Sequence, residues 1–289
     1  MSRPKILIQL DPDPHSSVFD AVVAIDSGVD QLLPYSRVQP DQVRDLVHGA
    51  IFTRGPKDLH RTAIFIGGTD VAAGERLLQR VRESFFGTLQ VSVLLDASGA
   101  NTTAAAAVLA AARHVPLANA SALVLAATGP VGQRAVQLLA REGAQVRVAS
   151  RREDRAVAVC QRVATKVPHA RLHPLAAGDP ESIRHALEGV SIVIAAGAAG
   201  IELIPAHLLL QAEGLQVAVD LNAVPPLGIG GVQATAQAES HGRVLCYGAI
   251  GVGNTKMKIH KAAIAALFSA NDQILDAEEV FEIGRKLAG

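Results

Sequence analysis

Residues 123–152 read LVLAATGPVGQRAVQLLAREGAQVRVASRR. The apolar run at 123–127 predicts a buried parallel strand, and the turn TGPVG follows it. A helical pattern then continues to Arg141 and stops at Gly143, and a second apolar run at 146–149 predicts another strand. Strand, glycine turn, helix and strand in this order are typical of a dinucleotide-binding unit, in which backbone N–H groups and a helix N-terminus approach the pyrophosphate.

The glycine pattern departs at one position from the usual G-x-G-x-x-G fingerprint. Ala127 stands where the first glycine, which serves the tight turn, is normally found. Alanine is a mild departure if the backbone there needs no positive φ. The alternative is an ordinary strand-to-helix turn, but the flanking strands and helix favour cofactor binding. We therefore predict that the cofactor contacts this turn, formed by Thr128, Gly129, Pro130, Val131 and Gly132.

The end of the second strand indicates which cofactor is bound. An acidic residue there would accept hydrogen bonds from a ribose 2′-hydroxyl, whereas Ser150, Arg151 and Arg152 offer a hydroxyl and two cations. This set suits a 2′-phosphate. Solvated arginines are a weaker explanation, because the helix dipole disfavours cations at a helix start. We expect NADP as the cofactor, with NAD as the alternative.

Composition excludes several classes of function. The 289 residues contain 27 basic and 27 acidic residues, so charge gives no reason to expect binding to nucleic acid or to a membrane. Two cysteines, Cys160 and Cys246, are too few for a disulfide scaffold or a zinc site. No stretch resembles a signal sequence or reaches the length of a membrane span. We expect a cytoplasmic protein without a metal.

Alternating strands and helices along the whole chain predict an α/β fold with two α/β domains. The first comprises residues 1–114 and the C-terminal helices 255–289 and would hold the substrate. The second, residues 115–254, is predicted as a Rossmann-like doubly wound parallel sheet, with a cleft between the domains. Ligands bind at the carboxyl ends of such strands, so Gly197, Ala198 and Asn222 are further predicted cofactor contacts.

Residues 248–255, GAIGVGNT, resemble a P-loop in glycine spacing, but Asn254 stands where the phosphate-binding lysine is required. This argues against a kinase or nucleotide hydrolase, and we instead place Gly251 near the cofactor. A helix that begins near residue 255 would carry Lys256 in its first turn, where the dipole disfavours a cation, and His260 on the same face. For Lys256 and His260 we favour a functional role at the mouth of the cleft over the alternative that they only lie at an exposed helix terminus.

Two groups in the first domain are candidates for contact with a substrate. Phe19 either packs in the core or stacks on a flat ring, and Asp20 follows it. Asn101, Thr102 and Thr103 follow a predicted strand end. They could do no more than cap a helix, and this is the favoured interpretation for Thr102 alone.

Six segments together resemble the bacterial NAD(P)-dependent methylene-tetrahydromethanopterin dehydrogenases over nearly the whole chain. They are SVFD at 17–20, AIFIGG at 63–68, NTTAAA at 101–106, TGPVG at 128–132, PPLGIGG at 225–231 and KMKIH at 256–260. The resemblance implies oxidation of the methylene bridge of a tetrahydromethanopterin-type carrier to the methenyl form, in the formaldehyde oxidation of one-carbon metabolism and methylotrophy.

The resemblance also implies roles for the candidate residues. Lys256 would be catalytic, near the reacting centre. The pterin contacts would be Phe19, Asp20, Asn101, Thr102, Thr103 and His260. A homo-oligomer is expected.

Two alternatives remain open. One is a methylene-tetrahydrofolate dehydrogenase/cyclohydrolase, although the Y-x-x-x-K pair of those enzymes is missing because Gln39 lies four residues after Tyr35. The other is a non-catalytic NADP-binding sensor, which has the same fold without the chemistry.

Overall fold

The computed structural model describes residues 3–288. The strands in these residues are β1 (Ile6–Leu10), β2 (Gln31–Tyr35), β3 (Thr62–Ile66), β4 (Ser92–Leu95), β5 (Ser121–Leu125), β6 (Gln145–Ser150), β7 (Arg171–Ala176), β8 (Ile192–Ala195), β9 (Val217–Asp220), β10 (Gln237–His241), β11 (Val244–Tyr247) and β12 (Ile274–Leu275). The α-helices are α1 (Val18–Asp26), α2 (Val43–Phe52), α3 (Val71–Glu83), α4 (Ala100–Ala112), α5 (Pro130–Arg141), α6 (Glu153–Lys166), α7 (Pro180–Leu187), α8 (Ala206–Gln211), α9 (Ala249–Ala266) and α10 (Ala277–Ala288). None of the helices described is long and apolar enough to cross a membrane.

The chain divides into two compact units. The first contains the residues up to Thr102 and those from Met257 onward, and the second is Thr103–Lys256. The sequence placed these boundaries at 114/115 and 254/255, at the ends of helices. In the structure both divisions fall inside helices, because α4 and α9 each contribute residues to both units.

The first unit contains a parallel sheet with the strand order β12-β4-β3-β1-β2. Its inner strands are almost completely buried, and they alternate apolar side chains between two covered faces. Because every strand runs the same way, the loops that begin at Asp11, Gly67 and Asp96 follow carboxyl ends at one edge. This edge positions the candidate substrate residues.

The second unit contains a seven-stranded sheet with the order β10-β11-β9-β8-β5-β6-β7, in which only β10 is antiparallel. The chain passes from β5 outward through β6 and β7, then returns to the other side of β5 as β8 and β9. This reversal is the switch point of a doubly wound sheet, where a crevice forms between the β5 and β8 ends. The predicted Rossmann-like fold is confirmed.

The predicted start of α9 near residue 255 is wrong. The helix begins at Ala249, so Lys256 lies two turns inside it, and the argument that the dipole disfavours its charge does not apply. The glycines in this run do not mark a loop before the helix. They are needed for close packing, because a Cβ atom on Gly251 would overlap the carbonyl oxygen of Ala236. Gly248 is enclosed in the same way by the backbone of Gln233. These glycines let the start of the helix pack closely against a loop, and the contact of Gly251 with the cofactor stays a prediction.

Candidate cofactor and substrate sites

A cavity of about 380 Å³ opens at the carboxyl ends of β5, β6 and β8 in the second unit. The predicted cofactor residues that line it are Thr128, Gly129, Ser150, Arg151, Arg152, Gly197 and Ala198. Sequence reasoning missed other lining residues, namely Leu125, Ala126, Arg155, Ala177, Ile183, Ala196, Ile201 and Leu203. Most of the missed residues are apolar and follow strand ends, where a sequence gives no sign of which side chain faces a ligand.

The turn after β5 has the shape that a dinucleotide requires. The left-handed residue is Ala126, with a φ of 53°, while Ala127 is fully buried and donates its N–H to Ala149. The departure from glycine at Ala127 therefore costs no backbone strain. A Cβ atom on Gly132 would lie 2.8 Å from Ala127 Cα, so only glycine allows α5 to approach the strand this closely.

The N-terminus of α5 fits the pyrophosphate by its donor groups. Gly129 is the N-cap and supplies no side-chain cap, Pro130 follows it, and the first turn carries no acidic residue. First-turn N–H groups have no acceptor inside the helix, and together with the helix dipole they favour an anion. Pro130, Val131 and Gly132 form this first turn and do not themselves line the cavity.

The end of β6 supplies the cations of the cavity. Ser150 is almost buried, and its hydroxyl accepts a hydrogen bond of 3.4 Å from the N–H of Arg152. The Arg152 guanidinium is engaged by Asp154 through bonds of 3.0 and 2.6 Å. This pairing raises the pKa of Arg152 and lowers the pKa of Asp154. The sequence did not reveal this pairing, although Asp154 is only two residues away.

Asn222 does not line the cavity but fixes a loop after β9. Its side-chain amide donates to Pro226 O at 3.0 Å. The neighbouring Asp220 is buried and accepts from the N–H groups of Asn222 and Ile229 at 3.0 and 2.9 Å. Burial raises the pKa of Asp220, against the opposing effect of these hydrogen bonds. The two side chains hold the segment 222–229 in one conformation.

In the first unit, α1, β3 and α9 bring an aromatic and acidic cluster together. Ser17 caps α1 by accepting the N–H of Asp20 at 3.2 Å, which sets the direction of the helix at the sheet edge. The Phe19 ring is half exposed, and its centroid lies 6.3 Å from that of His260. The Nε2 atom of His260 is 4.0 Å from Oδ1 of Asp20. Three predicted substrate residues therefore lie together.

Asp11 is a further member of this site that the sequence analysis did not select. It is buried, accepts the N–H groups of Asp13 and Ser17 at 3.0 and 3.1 Å, and burial raises its pKa. A Cβ atom on Gly67 would lie 3.5 Å from Oδ2 of Asp11 and 3.4 Å from Oδ2 of Asp20. Both carboxylates thus border the same glycine, at a point where the ends of β1 and β3 meet.

Asn101 and Thr102 are held inside the protein at the start of α4. Their N–H groups donate to Oδ1 of Asp96 at 2.9 and 3.1 Å, and the Thr102 hydroxyl donates to Oδ2 at 2.7 Å. The Asn101 amide donates to Leu95 O at 2.6 Å. Both residues are buried, and the side chain that caps α4 is that of Asp96 and not that of Thr102, while Thr103 is partly exposed.

Lys256 precedes His260 by four residues on α9, so the two share one face of the helix. Lys256 is partly exposed and His260 is buried.

Comparison with family models gives two matches. Residues 18–98 match the N-terminal region of methylene-tetrahydromethanopterin dehydrogenase, and residues 126–282 match an NAD(P)H-binding family. The first match contains Phe19 and Asp20, and the second contains all the residues that line the cavity at the end of β5 except Leu125.

Two proteins of Methylorubrum extorquens are similar over the full length. One, named "Bifunctional protein MdtA", is 42% identical over 98% of this chain and 99% of its own. The other, named "NAD(P)-dependent methylenetetrahydromethanopterin dehydrogenase", is 32% identical over the same shares. Among solved structures, quinate dehydrogenase from Corynebacterium glutamicum superposes with a TM-score of 0.55 at 15% identity, covering 98% of this chain and all of its own. At that identity the structural likeness concerns the fold alone.

Proposed function

The chain belongs to the family of bacterial methylene-tetrahydromethanopterin dehydrogenases, and from this we propose that it oxidises methylene-tetrahydromethanopterin to the methenyl form with NADP as hydride acceptor. The observation that carries the proposal is the cavity at the β5, β6 and β8 ends, which combines a pyrophosphate turn with arginines. The place of the reaction would be formaldehyde oxidation in one-carbon metabolism of a methylotroph.

The proposed reaction needs little acid–base help. The hydride leaves a carbon flanked by two nitrogens, whose lone pairs stabilise the resulting cation. The bound nicotinamide supplies the accepting carbon, and the protein supplies proximity and orientation. A rigid site is what such catalysis requires, and the capped helix starts and buried carboxylates at the sheet edges support that role.

The second unit would hold the cofactor. The turn at Thr128 and Gly129 and the first turn of α5 would bind the pyrophosphate. The end of β6 would receive the 2′-phosphate, so we propose a preference for NADP over NAD. Gly197 and Ala198 would leave room for the nicotinamide ribose.

The first unit would hold the pterin. The half-exposed ring of Phe19 can stack on a flat heterocycle, and the Asp20 carboxylate can accept hydrogen bonds from pterin N–H groups. His260 packs between Phe19 and Phe65 and would support this surface. We further propose that Lys256 lies near the reacting centre and acts on it by its charge or by positioning the substrate.

The test is an assay of purified protein with methylene-tetrahydromethanopterin and methylene-tetrahydrofolate, each with NADP and with NAD, following the absorbance of the methenyl product. We expect the highest kcat/KM for the methanopterin substrate with NADP. Oxidation of the folate substrate alone would establish the first alternative. Binding of NADP without oxidation of either substrate would establish the sensor.

We also propose a cytoplasmic homo-oligomer. Both cysteines are free thiols, as a reducing compartment requires. Val18, Val22 and Ile25 are each more than half exposed and repeat along one face of α1, which is unusual for a surface that stays in water. Light scattering would give a mass above the 30.1 kDa of one chain, and a mass of one chain would refute assembly.

A further inference from the structure

Three arginines border the part of the cofactor cavity that follows β6. Arg151 and Arg152 come directly after the strand, and Arg155 lies in the first turn of α6. All three are exposed at the cavity. Glu153 and Asp154, which lie between them in the chain, do not line it. The three cations are not equivalent, because their side chains differ in what they already bind.

The Arg152 guanidinium is committed to a carboxylate. Its Nε and Nη2 atoms donate to the two carboxylate oxygens of Asp154 at 3.0 and 2.6 Å, which is the parallel two-bond geometry that arginine forms with carboxylates and phosphates. A 2′-phosphate would need the same donors. Arg152 can therefore reach a phosphate through this edge only after it leaves Asp154.

Arg155 has its donors available. Within residues 3–288, neither its guanidinium nor that of Arg151 forms a side-chain hydrogen bond or an ion pair. Arg155 lies among the first-turn N–H groups of α6, which disfavour a cation, and the carboxylates of Glu153 and Asp154 in the same turn offset part of this effect. An anion in the cavity would make this position favourable for Arg155, because the guanidinium and the helix N-terminus would both attract the anion.

We propose that Arg155, with Arg151, is the residue that selects the 2′-phosphate. The ion pair with Asp154 keeps the Arg152 guanidinium from binding this phosphate. The inference rests on the proposed preference for NADP and assigns it to a particular side chain. Substitution of Asp154 should free the Arg152 guanidinium to bind a phosphate in the cavity, and it should therefore strengthen the binding of 2′-phosphorylated nucleotides.

The experiment is calorimetric titration of the full-length protein with 2′,5′-ADP and with 5′-AMP, which differ by the 2′-phosphate and require no substrate. Loss of one charge-assisted hydrogen bond weakens binding by about tenfold or more. We expect this loss of affinity for 2′,5′-ADP in Arg155→Ala, an unchanged affinity for 5′-AMP, and less than a threefold change in Arg152→Ala. Lys166→Ala, which removes an exposed cation from the last turn of the same helix, is the matched control and should not change either affinity.

A double substitution separates release of Arg152 from simple removal of a negative charge. Asp154→Asn should tighten 2′,5′-ADP binding several-fold, and the gain should disappear in Asp154→Asn combined with Arg152→Ala. If the gain in 2′,5′-ADP affinity persists in the double variant, the inference that Asp154 keeps Arg152 from the phosphate is overturned. Unchanged 2′,5′-ADP binding in Arg155→Ala, while the wild type still prefers 2′,5′-ADP to 5′-AMP, overturns the selecting role. A wild type with equal affinities would instead refute the NADP preference itself.

Discussion

The imidazole of His260 lies nearly parallel to the phenyl ring of Phe65, with ring centroids 5.8 Å apart and an interplanar angle of 27°. His260 is only 1% exposed, and Phe65 lies on β3 in the centre of the first sheet. A helix residue is thus fixed against the sheet beside the carboxylate of Asp20. This contact gives the proposed pterin site a rigid base, so we expect substitutions of its exposed members to leave the fold intact.

Asp20→Asn should raise KM for the pterin by about tenfold or more, because a charged acceptor of substrate N–H groups becomes a neutral one. The affinity for NADP should stay the same, since the pyrophosphate turn belongs to the second unit. Steady-state kinetics and NADP titration would show both effects. Asp26→Asn is the matched control at the other end of α1, where Asp26 forms an exposed ion pair with Lys261. Equal KM values for the two variants would contradict the assignment.

Lys256→Ala should reduce kcat with the fold intact. A preorganised polar group at a reacting centre contributes about 2–4 kcal/mol to transition-state stabilisation. Stopped-flow measurement of the hydride-transfer rate, with circular dichroism as a check of folding, tests this. Lys258, two residues along α9 and exposed, provides the control substitution Lys258→Ala. Near-normal kcat and KM in Lys256→Ala would make it a surface residue only.

Gly132→Ala should destabilise the second unit by about 1–3 kcal/mol and weaken NADP binding, because the new methyl group would force α5 away from Ala127. Chemical denaturation and NADP titration measure the two effects. Gly49→Ala in the middle of α2 is the control: nothing lies within 4 Å of its Cβ position, and it should stabilise the protein by about 0.5–1 kcal/mol. Normal stability of Gly132→Ala would contradict this prediction and would show that the turn at Ala127 can shift to accommodate the methyl group.

The local patterns predicted the second unit well, because the strand, turn and helix around Gly129 are each specified within a few residues. The errors concern features that depend on distant residues. The start of α9 was placed too late because Gly251 meets Ala236 across a loop, a contact that no spacing reveals. The sequence analysis also did not predict β2, since Pro34 and a largely exposed strand at a sheet edge lack the alternation of a buried strand.

The site residues also differ in whether their roles follow from the local sequence or from contacts with distant residues. Phe19 and His260 were selected from separate segments and do lie together, because α9 packs His260 against Phe65 of β3, next to the start of α1. The role of Thr102 depends on Asp96, which receives its hydroxyl, and only the fold shows that the pair is buried. Arg155 was overlooked because it follows the strand end by a helical turn.

The stability of the protein should depend on pH through Asp220. Burial raises its pKa in the folded state above the usual 3.8, so ionising it costs folding free energy. The cost is absent below pH 3.8 and appears as pH rises through the folded pKa. Asp220→Asn cannot ionise, so its unfolding free energy relative to the wild type should increase from acid to neutral pH, whatever the constant loss from weaker hydrogen bonds to Ile229. Denaturant titrations at several pH values measure this difference, and a constant difference would contradict the prediction.

The protein should lack cyclohydrolase activity. Hydrolysis of the methenyl product needs a water molecule activated by a positioned base, and the bifunctional folate enzymes use a Y-x-x-x-K pair that is absent here. Tyr35 lies at the end of edge strand β2 and is 41% exposed, and the residue four positions later is Gln39, which has no basic group. The absorbance of methenyl-tetrahydromethanopterin should therefore decay at the buffer rate when the protein is added in excess. Decay that increases with protein concentration would refute this, and its loss in Lys256→Ala would then identify Lys256 as the base.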